Sequence, residues 1–137
     1  MIYSEKVMEY FMNPKNSGCI ENPDGEAQCA SSSCGDTAKI MFNAKNGVIT
    51  DAKFETYGCA CAVAASSEVC EMIHGKSIEY AENITNDKII EELGGLPKER
   101  YKCSALAEKA LKAAIENYKK RQKGILLHYS DEEENIL

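Results

Sequence analysis

Tryptophan is absent from this chain, proline occurs three times and histidine twice. No apolar run approaches the length of a membrane span, and the amino terminus, MIYSEKVMEY, carries charges and no small-residue cleavage site. Neither a membrane segment nor a signal peptide is expected, and the default location is cytoplasmic. Positive charge is also scarce: 16 Lys and Arg stand against 22 Asp and Glu, a formal net charge of −6. Nucleic acid and anionic membrane surfaces select for the opposite balance, so neither is expected as a partner.

What the chain has in quantity is cysteine, seven residues in 137. In a reducing compartment these read as metal ligands, nucleophiles or buried small hydrophobes rather than as disulfides. The length suits one domain with one core.

The pattern along the chain changes period twice. Ser4 is placed to cap a helix with Val7, Met8 and Phe11 on one face, ending before Pro14. Residues 13–33 read as loop with room for a short strand. From Thr37 to Tyr57 the stretch TAKIMFNAKNGVITDAKFETY alternates around Asn46-Gly47, a strong hairpin signal. Ile40, Phe42 and Ala44 fall on one face of its first strand, and Val48, Thr50, Ala52, Phe54 and Thr56 on one face of its second. After Gly58 the chain reads helical: one helix from about Ala60 to His74, two short ones capped by Ser77 and Asn86, and a last one from near Cys103 to about Lys123. In that last helix Leu106, Ala110, Ala113 and Ala114 form a stripe that Leu111, Ile115 and Tyr118 widen. The expected fold is α+β, a small antiparallel sheet with helices packed on one face. Residues 1–123 would form the domain, and 124–137, GILLHYSDEEENIL, a solvated acidic tail.

Three cysteines stand at element boundaries: Cys34 in SSSCGDT before the first hairpin strand, Cys59 where the second strand gives way to a helix, and Cys103 at the start of the last helix. A hairpin reverses direction, so the start of its first strand and the end of its second share one end of the sheet. Cys34 and Cys59 are then neighbours, and the last helix has only to pack across the sheet to bring Cys103 to them. Helix amino termini favour a charged sulfur, and Asp36 adds a hard oxygen donor beside Cys34. Three soft donors and one hard one suit a thiophilic metal or cluster that is to be released again. Cys61 lies two residues beyond Cys59, about 200° around a helix, and should face the core or another surface. Cys70, deep in the same helix, reads as core packing. Cys19 and Cys29 lie in loops without an assigned role. Spacing alone leaves buried, inert thiols as the main competing account.

YSEKVMEYFMNPKNSG at the amino terminus, SCGD at 33–36, DAKFETYGCACA at 51–62 and KCSALAEKALKAAIENY at 102–118 together resemble the U-type iron–sulfur cluster assembly scaffolds. These are the IscU proteins and the amino-terminal domain of NifU, and the resemblance runs over about residues 2–123. It implies a scaffold for a labile [2Fe-2S] cluster built from iron and from sulfur supplied by a cysteine desulfurase, then passed to acceptor proteins. Cys34, Cys59 and Cys103 match the family's ligand cysteines, Asp36 its aspartate and Cys103 its sulfur acceptor. Cys61 matches a position that is commonly serine.

Two departures stand out. Lys102 occupies the place of a usual histidine; a protonated lysine has no lone pair to donate, so its role would be electrostatic, drawing persulfide or cluster charge to Cys103. The segment LPKER, residues 96–100, lacks one proline and the final lysine of the motif that an Hsp70-type chaperone reads, which counts against that partner. The Lys-Cys pair also resembles the SufU branch, whose members bind zinc and accept persulfide sulfur as sulfurtransferases. That branch carries an insertion before the last cysteine, and this chain has the shorter spacing.

Overall fold

The structure, a computed structural model, describes the backbone of residues 3–31 and 35–134 and side chains as far as residue 124. Cys34 lies outside the described residues. Helix α1 (Glu5–Met12) precedes strands β1 (Gly25–Ala30), β2 (Thr37–Lys45) and β3 (Val48–Tyr57). Helices α2 (Ala60–Ile73), α3 (Ile78–Glu82) and α4 (Asn86–Glu92) follow, then a 3₁₀ turn (Lys98–Arg100) that runs into α5 (Tyr101–Glu134). The sheet is antiparallel in the order β1-β2-β3. The main core joins its inner face to α2 and α5, with Ile40, Phe42, Ile49 and Phe54 meeting Val69, Ile73, Leu111 and Ile115. This is the α+β arrangement expected, with helices on one face. Among the described residues no helix is long and apolar enough to cross a membrane.

The hairpin turns at Asn46 and Gly47, both at positive φ (54° and 78°), the combination a two-residue type I′ turn requires. The alternation of β3 holds only in part. Asn43 pairs with Asp51 and Ala44 with Ile49, leaving Thr50 as the extra residue of a bulge. A bulge shifts the side-chain period by one, so Ile49 is buried and Val48 exposed, the reverse of the alternating expectation. The outer edge of β3 is covered by the loop at 16–18: Phe54 N–H donates to Asn16 O, and Gly18 N–H to Phe54 O, each at 3.0 Å.

Ser4 caps α1 as expected, its Oγ accepting from Val7 N–H at 3.1 Å. The buried face is Val7 and Tyr10, whereas Met8 and Phe11 are exposed. Tyr10 belongs to the main core, and the ammonium groups of Lys6 and Lys15 lie over its ring. The cap of α4 is Thr85, whose side chain accepts from Lys88 N–H, and not Asn86. Asn86 is engaged elsewhere: its Nδ2 donates to Tyr101 O at 3.1 Å, and its Oδ1 accepts from Ser104 Oγ at 2.7 Å. It therefore ties α4 to the first turn of α5. In α5 the stripe includes Ala107 in place of the half-buried Ala113. The helix runs on to Glu134 rather than ending near Lys123. One glycine, Gly124, costs a helix only about 1 kcal/mol, and the leucines and glutamates beyond it favour continuation.

Lys6 joins three elements. From α1 its ammonium donates to Glu92 O of α4 at 2.8 Å and pairs with the Glu68 carboxylate of α2 at 2.8 Å. Glu68 is 3% exposed. Burial pushes its carboxyl up, against the opposing pull of Lys6. For Lys6, burial lowers and Glu68 raises, and the net direction is up. A carboxyl raised in the folded state binds more protons there than in the unfolded chain. Its contribution to stability is thus greatest below the unfolded value of 4.5 and falls as pH rises through the folded value. Lys6→Met should cost on the order of 2–3 kcal/mol at neutral pH, below the cost for a wholly buried pair because Lys6 is partly exposed. The loss should shrink as pH approaches the carboxylate range, where a neutral Glu68 needs no cation. Urea denaturation at two pH values measures both.

Candidate metal centre

Three donor-bearing residues meet at the open end of the hairpin. Thr37 of β2 pairs with Tyr57 of β3, so Asp36, just before one strand, faces Gly58 and Cys59, just after the other. The loop before β2 is closed by Ser31 N–H donating to Asp36 O at 2.8 Å and Gly35 N–H donating to Ser31 O at 3.1 Å. The Asp36 side chain, 7% exposed, turns toward the start of α2, where its Oδ2 accepts a long hydrogen bond from Cys59 N–H at 3.4 Å. Cys59 is the N-cap of α2, and its sulfur makes no capping hydrogen bond. The first turn of α5 supplies Cys103, 2% exposed. An Asp36 carboxylate oxygen and the sulfurs of Cys59 and Cys103 all lie within 4.8 Å of one another. Donors this close can share one ion, and two thiol sulfurs with a carboxylate suit a thiophilic metal.

Glycine at 58 is a condition of this geometry. A Cβ there would lie 2.4 Å from Asp36 Cγ and 2.6 Å from its Oδ1. Any side chain would displace the carboxylate from the two sulfurs.

Cys103 is embedded rather than presented. Cys61, Ala62 and Cys103 form a small buried cluster, separate from the main core, with Tyr3, Cys59 and Leu96 packed against it. Two polar residues not singled out from the sequence lie here. Arg100 lies one helical turn before Cys103, close enough to act on its sulfur electrostatically. Tyr3, Cys103 and Cys59, in that neighbourhood, push the guanidinium further up, so it remains charged. Lys102, the cation expected beside Cys103, is exposed. Tyr3 packs against the cluster that holds Cys61. Burial raises the Tyr3 hydroxyl, and burial likewise raises the Cys61 thiol while the nearby Tyr3 opposes it. The signal for Arg100 was its spacing of three residues from Cys103, which on a helix places two side chains side by side.

Cys61 is fully buried, as its helical phase implied, but it has not left the corner: it packs with Cys103. Cys70 lies in the main core, and burial drives its thiol far up, as an inert packing residue requires. Cys19 is exposed and Cys29 lies half-buried on β1 opposite Ala38.

Residues 2–124 match the family described as NifU-like N terminal domain. The chain is 44% identical over 122 residues to the iron-sulfur cluster assembly scaffold protein IscU of Aquifex aeolicus, covering 88% of this chain and 78% of the relative. It is 44% identical over 126 residues to the protein of the same name in Escherichia coli, covering 89% and 98%. Among solved structures, FiSufU, from the SUF system of Fervidobacterium islandicum, superposes with a TM-score of 0.69 at 31% identity, covering 84% of this chain and 97% of that one. An N-terminal NifU-like protein from Brucella abortus has the same fold, with a TM-score of 0.71 at 23% identity, covering 87% and 95%.

Replacing Gly58 by Ala should leave the fold intact and weaken cobalt(II) binding by about tenfold or more, the scale seen when the support of a metal ligand is disturbed. Titration of the cobalt–thiolate absorption measures the affinity, and a thermal melt checks the fold.

Proposed function

The chain belongs to the NifU-like N-terminal domain family, and from that premise we propose that it is a scaffold for iron–sulfur cluster assembly. It would take sulfur from a cysteine desulfurase, combine it with iron as a [2Fe-2S] cluster and pass the cluster to acceptor proteins. The observation that carries this is the meeting of Asp36, Cys59 and Cys103 at one corner from three separate parts of the chain. In the proposal Cys59, Cys103 and Asp36 hold the cluster together with Cys34, two residues before Asp36 in the sequence. An oxygen donor binds iron less firmly than a thiolate does, and a partly hard donor set suits cargo that must leave.

Cys103 is the proposed sulfur acceptor. At 2% exposure Cys103 offers little surface to a partner's persulfide, and Tyr3, Cys59 and Leu96 pack against its cluster. Sulfur delivery therefore includes a displacement of that cover. Arg100 is placed to hold the added negative charge of a persulfide, and the exposed Lys102 lies in reach of an approaching partner. No role is assigned to an Hsp70-type chaperone.

The Lys102-Cys103 pair carries the second reading, a zinc-bearing sulfurtransferase that accepts persulfide from the desulfurase; FiSufU itself is described as an iron–sulfur cluster assembly scaffold protein for the SUF system. The same donor set would hold zinc tetrahedrally. The two separate on metal content: iron with acid-labile sulfide supports the scaffold, and tight zinc with strong desulfurase stimulation supports the sulfurtransferase.

Anaerobic incubation with ferrous iron, cysteine and a desulfurase should give the visible absorption of a [2Fe-2S] centre. Cys59→Ser and Cys103→Ser should lose it or hold it only transiently, and Cys70→Ala should keep it. A normal, stable chromophore in Cys59→Ser would remove the basis for the ligand assignment.

A further inference from the structure

Cys61 is a fully buried thiol that stands apart from the main core where Cys70 sits. Its cluster holds Ala62 and Cys103, bounded by Tyr3, Cys59 and Leu96. Each of the two buried sulfurs has a polar side chain in its neighbourhood, Tyr3 near Cys61 and Arg100 near Cys103. Tyr3 and Arg100 are in turn close enough to interact. Two thiols are therefore held together in a pocket from which water is largely excluded.

Sulfur that arrives on Cys103 from a desulfurase is sulfane sulfur, and the sulfide of a cluster is two electrons more reduced. A thiol beside a persulfide can supply those electrons by thiol–disulfide exchange. We propose that Cys61 is a reducing residue of the assembly reaction: its sulfur attacks the Cys103 sulfur of the persulfide and releases the outer atom as sulfide.

In this step the bond between the Cys61 and Cys103 sulfurs forms, and the bond between Cys103 sulfur and the outer sulfur breaks. The departing hydrosulfide takes the Cys61 proton and leaves as H₂S. The outer sulfur gains two electrons, and the two cysteines lose them as they become a disulfide. No other reductant enters. A dithiol reductant afterwards returns the disulfide to two thiols and frees Cys103 for the next sulfur. Cys59, whose sulfur is within 4.8 Å of Cys103, is the competing thiol, but it belongs to the proposed ligand set. Cys61 lies outside that set and can be oxidised without subtracting a further donor.

The inference rests on Cys103 being the sulfur acceptor. Its test uses the full chain, a cysteine desulfurase and cysteine, anaerobically and without iron or added thiol. Sulfide release, intact mass and peptide mapping are followed together. Wild-type protein should release sulfide in proportion to the chain, lose two hydrogens in mass and yield a Cys61–Cys103 disulfide peptide. Cys61→Ser should instead gain one sulfur atom on Cys103 and release no sulfide beyond that of the desulfurase alone. A wild-type persulfide that persists without sulfide release overturns the proposal, as does a disulfide that maps to Cys59 and Cys103. If Cys61→Ser, folded by its thermal melt, gains no sulfur on Cys103, the acceptor assignment itself fails and the inference falls with it. The wild-type peptide map needs no variant, so a misfolded Cys61→Ser still leaves a decisive result.

Discussion

The pairing of Thr37 with Tyr57 at the open end of the hairpin governs where the donor atoms lie. It fixes Asp36 opposite Gly58 and Cys59, across a gap too narrow for a Cβ at position 58. Once the two strands are in that register, the carboxylate and the first sulfur have little freedom left. A slip of one residue would turn every side chain of β3 to the other face. The inward Phe54 and Ala52 make such a slip costly, because both are buried in the core. Core packing and donor placement are thus set by the same register.

The third donor comes from a different source of order. Cys103 sits in the first turn of a helix, where backbone groups lack intrahelical partners and the chain would otherwise fray. Here the turn is tied down by Asn86 and the buried Ser104, and preceded by a 3₁₀ turn that carries Arg100. The helix packs along β1 and β2, which carries its amino-terminal end to the corner where Asp36 emerges. These contacts fix the position of Cys103 through the protein's own hydrogen bonds.

Burial separates the thiols into two kinds. Cys70 is enclosed by apolar side chains, and its thiol is driven far up. Cys61 is equally buried and its thiol is raised too, burial again being the largest cause, with the nearby Tyr3 and Arg100 working against it. Two residues of one type on one helix thus stand in different surroundings, one with polar groups nearby and one within the apolar core. The same rule acts on Glu68, whose burial is tolerated only because Lys6 reaches it from another helix.

Local pattern was enough for much of this. Asn46-Gly47 gave the hairpin, Ser4 and Ser77 gave caps, and the alternation of β2 gave its inner face, since each depends on neighbours within a few residues. The misplaced features depend on more distant partners. Val48 is exposed because of the Thr50 bulge, and Asn86 gives up the cap to bond α5. Tyr10 turns into the main core.

By itself the chain of residues determined which groups could bind a soft metal and at which element boundaries they stand, because hairpin reversal and helix starts are local matters. Only the tertiary structure decided that Asp36, Cys59 and Cys103 lie within 4.8 Å, and that Cys61 and Arg100 share the corner. The physical reason is that helix crossings and side-chain burial are settled by packing between segments far apart in sequence, for which a linear pattern carries no direct signal.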